Sequence, residues 1–227
     1  MTTKYVINEM PNQASKEVCE LLQKVETATV GHFRFWGFCN RGIRPMLRSK
    51  HIVGTAVTLG IYGPDSALLH HAAGMLRPGD VLLVDRLGDD RFACWGGGVT
   101  AGIQASGAVA GIVDGPCTDL AQLEESGFPV WARGIASITT RMYDLGGRMN
   151  VPVSIGGVVV NPGDVVLADD SGVLILPPDE AEKEARRALE LQETGAVVER
   201  SLREGRSILG DVSGASEAIA RAQQLGF

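Results

Sequence analysis

An eight-residue segment occurs twice in the sequence, as PGDVLLVD at residues 78–85 and as PGDVVLAD at residues 162–169. In each copy Pro-Gly sets a turn, and the Asp can accept backbone N–H bonds inside that turn. The near-continuous apolar run that follows is typical of a strand covered on both faces. Each copy therefore predicts a turn leading into a buried strand, and this structural role is favoured over ligand binding for both aspartates.

Strands and helices are both predicted elsewhere in the chain. Apolar runs bounded by turn residues predict five more strands: residues 51–62, 107–114, 128–132, 151–160 and 172–176. Apolar residues at helical spacing predict three longer helices: residues 15–25 with Ser15 as N-cap, 65–76 with Asp65 as cap, and 180–204 with an interruption near Gly195. The mixture indicates an α/β fold in which the first and last of these helices flank the core.

Composition excludes several classes of partner. The 227 residues carry a formal net charge of −6 without a run of Lys or Arg, which argues against binding to nucleic acid. No stretch approaches the roughly 20 apolar residues of a membrane helix, and the N-terminus lacks the apolar core of a signal peptide. We therefore expect a cytoplasmic protein with no membrane partner. No linker divides the chain, so a single domain over residues 1–227 is expected.

A glycine-rich segment, WGGGVTAG at residues 95–102, precedes a short helical stretch of small residues. Glycines let successive backbone N–H groups turn inward, and a helix N-terminus adds partial positive charge. Gly96, Gly97, Gly98 and Val99 are therefore candidates to bind a carboxylate or a phosphate group of a small acidic ligand. Such a turn also occurs only to permit tight packing, so the segment alone leaves the function open.

Acidic and hydroxyl side chains follow the predicted strand at residues 107–114. The turn DGPCTD at residues 114–119 delivers Thr118 and Asp119 after this strand. A carboxylate at a strand end is a natural ligand for a hard divalent cation, which can stabilise negative charge on a substrate oxygen. Asp119 and Thr118 are the candidate catalytic residues. Cys117 lies beside them as a possible nucleophile, although a buried filler is the favoured interpretation.

These segments resemble the RraA-like family, which contains the regulator of ribonuclease activity A and the 4-hydroxy-4-methyl-2-oxoglutarate/4-carboxy-4-hydroxy-2-oxoadipate aldolases. The resemblance covers most of the chain and is carried by GTAVTL, PGDVLLVD, WGGGVTAGIQASGAVAGIVDGPCTD, FPVWARG, GGVVVNPGD and ADDSGVLILP. It implies an α/β domain of the swivelling β/β/α type, assembled as a homotrimer or hexamer with sites between subunits. In the aldolases, the Gly-rich turn and an Arg bind a pyruvate carboxylate, and an Asp holds Mg²⁺ or Mn²⁺. By this resemblance Asp119 is the metal anchor.

The chain departs from the aldolase pattern at two positions. Thr118 stands where the aldolases have the Arg, and Gly97 stands where they commonly have an acidic residue. The bidentate carboxylate clamp that Arg provides is therefore missing. Candidates to replace it are His32, Arg34, Arg41, Arg91, Arg133 and Arg141. The resemblance also implies a metal-site Glu from a neighbouring subunit's C-terminal helix, which corresponds to Glu193, with Glu199 as a rival.

The leading hypothesis is a divalent-metal-dependent lyase acting on a small 2-oxo acid. The reaction would be aldol cleavage to pyruvate or decarboxylation of an oxaloacetate-type acid, through a metal-stabilised enolate at Asp119. One alternative is a related metal enzyme with a different small acidic substrate, because Thr118 can donate to a neutral oxygen. The other is a non-catalytic, protein-binding regulator of ribonuclease activity.

Overall fold

A computed structural model describes residues 3–224. Two compact units make up the chain, one up to Ala185 and one from Arg186 onward. The strands are β1 (Tyr5–Ile7), β2 (Arg44–Pro45), β3 (Ile52–Ile61), β4 (Asp80–Asp85), β5 (Ala110–Asp114), β6 (Pro116–Cys117), β7 (Val130–Ala132), β8 (Gly134–Ile135), β9 (Gly147–Met149), β10 (Val153–Ile155), β11 (Val158–Val160), β12 (Val165–Asp169) and β13 (Gly172–Leu176). The helices are α1 (Lys16–Leu22), α2 (Thr27–Val30), α3 (Ala67–Ala73), α4 (Gly97–Ala105), α5 (Leu120–Ser126), α6 (Pro178–Arg203), α7 (Leu209–Val212) and α8 (Ala215–Gln224).

The first unit is built on a mixed sheet with four parallel strands at its centre. Strands β3, β4, β5 and β7 run parallel, and the order along the sheet is β1-β9-β3-β4-β5-β7-β2. Strand β12 pairs antiparallel with the first half of β3 and continues into β13. The carboxyl ends of the parallel strands therefore meet at one edge, where ligands bind in open α/β sheets.

Both faces of this sheet are covered, which explains why β3 and β4 have no exposed residue. One face packs against α3, α4 and α5 through Leu69, Ile103 and Leu123. The other face is covered by the β10–β11 hairpin through residues such as Ile155, and residues of β12 and β13 such as Val173 belong to the same hydrophobic cluster. The result is three layers, β/β/α, which confirms the predicted fold class.

The two PGD segments form matching turns, as predicted. Gly79 and Gly163 have φ of 88° and 94°, a left-handed conformation that favours glycine. Asp80 accepts the N–H of Arg77 at 2.8 Å, and Asp164 accepts the N–H of Asn161 at 2.8 Å. Asp80 also pairs with the Arg77 guanidinium and is fully buried. The turns place the first residues of β4 and β12 on opposite sides of β3, each pairing with Thr55.

Several predicted bounds were wrong. Residues 151–160 are two strands, because Gly156 and Gly157, with φ of 58° and 81°, turn the chain back into a hairpin. The final helix α6 begins at Pro178, and it continues through Gly195 without a break.

Asp65 is the other correction. The helix after it begins at Ala67 with Ser66 as N-cap and ends at Ala73, short of the predicted end at residue 76. The Asp65 carboxylate accepts the N–H of Ala67 at 3.2 Å, but its shorter bonds come from Tyr143 at 2.9 Å and Leu145 at 2.8 Å. Asp65 therefore fixes the loop before β9 as well as the start of α3.

The second unit consists of the rest of α6 followed by α7 and α8. Its helices carry i,i+4 ion pairs, such as Arg203 with Glu199 and Arg221 with Glu217. Of the helices in residues 3–224, none joins the length to the hydrophobicity that crossing a membrane requires. The single domain over residues 1–227 stays a prediction.

Candidate functional site

The Gly-rich turn and the end of β5 meet through main-chain contacts. The N–H of Thr118 donates to the carbonyl of Trp95 at 2.8 Å, and Trp95 and Cys117 form an isolated parallel bridge. Helix α4 begins at Gly97 directly after this bridge. The structure therefore brings the predicted glycine turn together with Thr118 and Asp119 at the carboxyl edge of the sheet.

Asp119 has an unusual backbone conformation. Its φ of 56° and ψ of 44° are left-handed, a region that Asp tolerates better than most side chains. Its carbonyl accepts the N–H of Gln122 at 2.9 Å and so begins α5. Its carboxylate turns instead to α4 and accepts the N–H of Gly97 at 3.0 Å. The negative charge thus lies close to the N-termini of two helices, both of which favour an anion.

Two of the three glycines are closely approached by side chains from the β5–α5 turn and from α5. A Cβ built on Gly96 would lie 2.9 Å from the Thr118 methyl carbon and 3.3 Å from the Asp119 carboxyl carbon. A Cβ built on Gly97 would lie 2.7 Å from the amide carbon of Gln122. Gly98 has nothing within 4 Å of a built Cβ. The open space at the turn therefore lies over Gly98.

The turn rests on a buried tryptophan. The Trp95 indole N–H donates to the Thr100 hydroxyl at 2.9 Å, and this hydroxyl donates to the Gly96 carbonyl at 2.9 Å. The ring stacks at 6.5 Å on Phe128 and covers Gly111, where a built Cβ would lie 2.8 Å from a ring carbon. The small residues of β5 thus make room for the side chain that supports Gly96.

Free donors remain in the first turn of α4. The first N–H groups of a helix have no acceptor within the helix, and Gly97 uses its own on Asp119. Gly98 is exposed and Val99 is partly exposed, so their N–H groups border the open space. The Thr118 hydroxyl lies 3.3 Å from the Asp119 carboxylate. The mouth of the turn therefore combines backbone donors, a hydroxyl group and one exposed carboxylate.

Gln122 also lies at this mouth, close to Gly97, and was not among the residues predicted for the site. It lies three residues after Asp119 on a helix that begins there, and residues three apart share a helix face. That spacing was the available signal. Arg86 was also missed; it directly follows β4, is fully buried and donates to the carbonyl of Phe92 at 3.3 Å. Its Nε and Nη1 have no partner in residues 3–224.

The candidates to replace the missing arginine fall into two groups. Arg34 is buried and pairs with Glu180 at 2.6 Å and Glu184 at 3.2 Å, and Arg133 pairs with Asp114. These two guanidinium groups are therefore engaged by carboxylates of the chain itself. The others have exposed side chains: His32, Arg41, Arg91 and Arg141. Arg141 donates weakly to Thr139 and Thr140, at 3.3 Å and 3.4 Å.

Cys117 is fully buried below the site. Burial raises the pKa of its thiol to about 11, so the nucleophilic thiolate is scarce near neutral pH. The packing interpretation of this residue is therefore the better one.

A divalent cation fits this site only as a hydrated ion. Residues 3–224 contain no group of three or more His, Cys, Asp or Glu side chains that could hold a metal ion. Mg²⁺ keeps several waters and takes one or two carboxylates together with substrate oxygens. The single exposed carboxylate of Asp119 suits a hydrated ion of this kind. Glu193 and Glu199 are exposed in the second unit, and their approach to the site stays a prediction.

Comparisons with known proteins identify relatives of this architecture. A protein of Halalkalibacterium halodurans, named as a candidate 4-hydroxy-4-methyl-2-oxoglutarate aldolase, is 29% identical over 160 residues, covering 70% of this chain and 76% of its own. The 4-hydroxy-4-methyl-2-oxoglutarate aldolase of Thermus thermophilus is 32% identical over 125 residues, covering 55% and 74%.

Solved structures and a family comparison agree. RraAS2 of Streptomyces coelicolor, described as an unusual member of the RNase ES inhibitor RraA protein family, superposes with a TM-score of 0.73 at 25% identity, covering 84% of this chain and 98% of that one. The RraA-like family, described as Aldolase/RraA, matches residues 18–175. The fold, the order of the motifs and this match together show that the chain belongs to the RraA-like family.

Proposed function

We propose that the chain is a lyase that breaks a carbon–carbon bond in a small 2-oxo acid with the help of Mg²⁺ or Mn²⁺ at Asp119. The reaction is aldol cleavage to pyruvate or decarboxylation of an oxaloacetate-type acid. The observation that carries the proposal is the exposed Asp119 carboxylate beside the first-turn N–H groups of α4. The names of the aldolase relatives support the same class of substrate.

Each group at the mouth has a role in this reaction. The N–H groups of Gly98 and Val99 hold the substrate carboxylate, and the Thr118 hydroxyl donates to a substrate oxygen. Asp119 holds the cation, and residues of the β5–α5 turn fix its position. When bound, the cation would stabilise the negative charge that develops on the 2-oxo oxygen as the bond breaks.

The proposed assembly is a homotrimer or hexamer with sites between subunits. The resemblance to the RraA-like family implies such an assembly, and Glu193 of a neighbouring subunit would then complete the surroundings of the cation. A second carboxylate there would raise the affinity for a hard cation beyond what Asp119 alone gives.

A second candidate function is protein binding. One solved relative carries the name of a ribonuclease inhibitor family. The turn before β2 exposes Phe35 to 88% and Trp36 to 60%. Large aromatic side chains in such positions are common at protein interfaces. In this role the glycine turn would be structural.

The test uses purified protein and two variants at one position. Asp119→Asn keeps an oxygen that accepts the Gly97 N–H but loses the negative charge, whereas Asp119→Ala loses both. Pyruvate release is measured from 4-hydroxy-4-methyl-2-oxoglutarate and from oxaloacetate, with Mg²⁺ and with EDTA. Asp179→Asn, an exposed aspartate in the first turn of α6, is the matched control.

The expected result is turnover with Mg²⁺ that falls at least about a hundredfold with EDTA and in both Asp119 variants, the range for removing a metal or a transition-state contact. Asp119→Asn should lose no more than about 1 kcal/mol of stability, because it preserves the bond to Gly97 and removes only the charge near the helix N-termini. Activity that survives EDTA and Asp119→Asn would refute the metal role. Capture of a ribonuclease by the wild type and by both variants alike, without turnover, would favour the regulator.

A further inference from the structure

Gln122 occupies the space where a side chain at Gly97 would begin. A Cβ built on Gly97 would lie 2.7 Å from the Gln122 amide carbon and 3.1 Å from its Cβ, with the amide oxygen closer still. The backbone N–H of Gln122 bonds to the Asp119 carbonyl at 2.9 Å, so the two residues are held within the first turn of α5. The carboxamide and the carboxylate therefore both lie close to Gly97.

The Gln122 carboxamide is free to bind another molecule. It is exposed, and it forms no hydrogen bond to another group within residues 3–224. The neighbouring space over Gly98 is open, with nothing within 4 Å of a built Cβ. Both the Gln122 amide and the Asp119 carboxylate lie against Gly97, the residue that directly precedes this space. The amide offers both a donor and an acceptor there.

The polar side chains at the mouth are neutral apart from Asp119. Thr118 contributes a hydroxyl group, and Gln122 contributes an amide. Arg34 and Arg133 are engaged by carboxylates of the same unit. A second carboxylate on the substrate would therefore meet the neutral hydrogen-bonding groups of Thr118 and Gln122, which do not offset its charge.

We propose that Gln122 contacts the substrate and determines its specificity, selecting 2-oxo acids whose far end is neutral and hydrogen-bonding over 2-oxo dicarboxylates. The proposal rests on the proposed function and names its substrate class. The preferred substrate is a 4-hydroxy-2-oxo acid with an uncharged substituent at C4. Cleavage breaks the C3–C4 bond; the 4-hydroxyl loses its proton to become an aldehyde, and C3 gains a proton to become the methyl group of pyruvate, without any oxidant or reductant.

The experiment compares two 4-hydroxy-2-oxo acids: a monocarboxylate whose far end is uncharged and a dicarboxylate that carries a second carboxylate at C4. The probes are 4-hydroxy-2-oxopentanoate, which yields pyruvate and acetaldehyde, and 4-hydroxy-4-methyl-2-oxoglutarate, which yields two pyruvates. Their kcat/KM values are measured with Mg²⁺ for the wild type, Gln122→Arg and Gln122→Glu. The matched control is Gln104→Arg, an exposed glutamine near the other end of α4.

In the wild type, kcat/KM should be at least about tenfold higher for the monocarboxylate than for the dicarboxylate. Gln122→Arg should shift this ratio of kcat/KM values by at least about tenfold toward the dicarboxylate, mainly through KM. An unpaired or repelled charge at a binding site costs at least this much. Gln122→Glu should move the ratio the other way, and Gln104→Arg should leave it unchanged. A wild type that prefers the dicarboxylate, or a Gln122→Arg ratio within twofold of the wild type, overturns the proposal.

Binding separates this proposal from the proposed function. The thermal shifts produced by 2-oxopentanoate, a monoanion, and by 2-oxoglutarate, a dianion of the same chain length, are measured with Mg²⁺ for the same variants. If no substrate is cleaved but Gln122→Arg still raises the response to the dianion relative to the monoanion, the lyase proposal fails and the role of Gln122 in selecting ligands stands. If neither turnover nor binding preference changes, Gln122 does not contact the ligand.

Discussion

The hydroxyl of Thr100 connects the buried Trp95 to the Gly-rich turn, and its removal tests how the site is supported. Thr100→Val keeps the shape of the side chain but leaves the Trp95 indole N–H, which now donates at 2.9 Å, without a partner in a fully buried position. An unsatisfied buried donor costs about 1–3 kcal/mol. The Gly96 carbonyl loses little, because it still accepts the N–H of Thr100 at 2.9 Å.

The matched variant is Thr100→Ser, which keeps the hydroxyl and loses one methyl group, at a cost of about 0.8 kcal/mol. Urea unfolding followed by tryptophan fluorescence gives the free energy of unfolding of each protein. A loss of about 2 kcal/mol corresponds to a fall in Tm of about 4–8 °C for a chain of this size. If Thr100→Val lies within about 0.5 kcal/mol of the wild type, or no lower than Thr100→Ser, the indole bond does not support the turn.

Two further predictions concern the packing at Gly111 and the loss of stability at low pH through Asp65. Gly111→Ala should lower the free energy of unfolding by about 1–3 kcal/mol, because its Cβ would overlap the Trp95 ring. The control is Gly60→Ala on β3, where no atom lies within 4 Å of the built Cβ. In the same urea titration this control should cost less than Gly111→Ala. For Asp65, burial raises the pKa, but the N–H groups of Leu145 and Tyr143, among others, outweigh it, so the pKa is lowered overall. Its stabilising contribution is therefore complete above the unfolded pKa of about 4 and is lost as the pH falls through the folded value. The stability difference between wild type and Asp65→Asn should shrink between pH 5 and pH 2, and a difference that stays constant would contradict this account.

Most strands and helices could be predicted from the local spacing of apolar residues and from the turn residues that bound them. The apolar runs of β4 and β12 predicted strands covered on both faces, and the structure confirms both. Gly156 and Gly157 lie inside one apolar run, so the composition of residues 151–160 suggested a single strand. The reversal depends on two consecutive left-handed glycines, whose preference is visible only as the residue type. Gly195 shows the opposite case, since a glycine within a long helical pattern is tolerated at a cost of about 1 kcal/mol.

The candidate site was predicted in its parts but not in their mutual contacts. Residues 96–99 and Asp119 are separated by about twenty positions; the first were predicted as a turn before a helix, and the second as a residue that follows a strand. The bond from the Gly97 N–H to the Asp119 carboxylate and the approach of Gln122 to Gly97 depend on how α4 and α5 pack. Helix packing is a tertiary property that sequence periodicity does not specify.

The paired PGD turns fix the register of the two strands that lie beside the first half of β3. The N–H of Thr55 donates to the Gly79 carbonyl at 3.0 Å, and the N–H of Ala56 donates to the Asp164 carbonyl at 2.8 Å. One point of β3 is thus held from both sides by the same rigid turn. A one-residue slip of either neighbour would exchange its two faces, and the carbonyls of its turn would then lose the N–H groups that they accept from Thr55 and Ala56. The turns therefore penalise misaligned pairings of β3 on both sides.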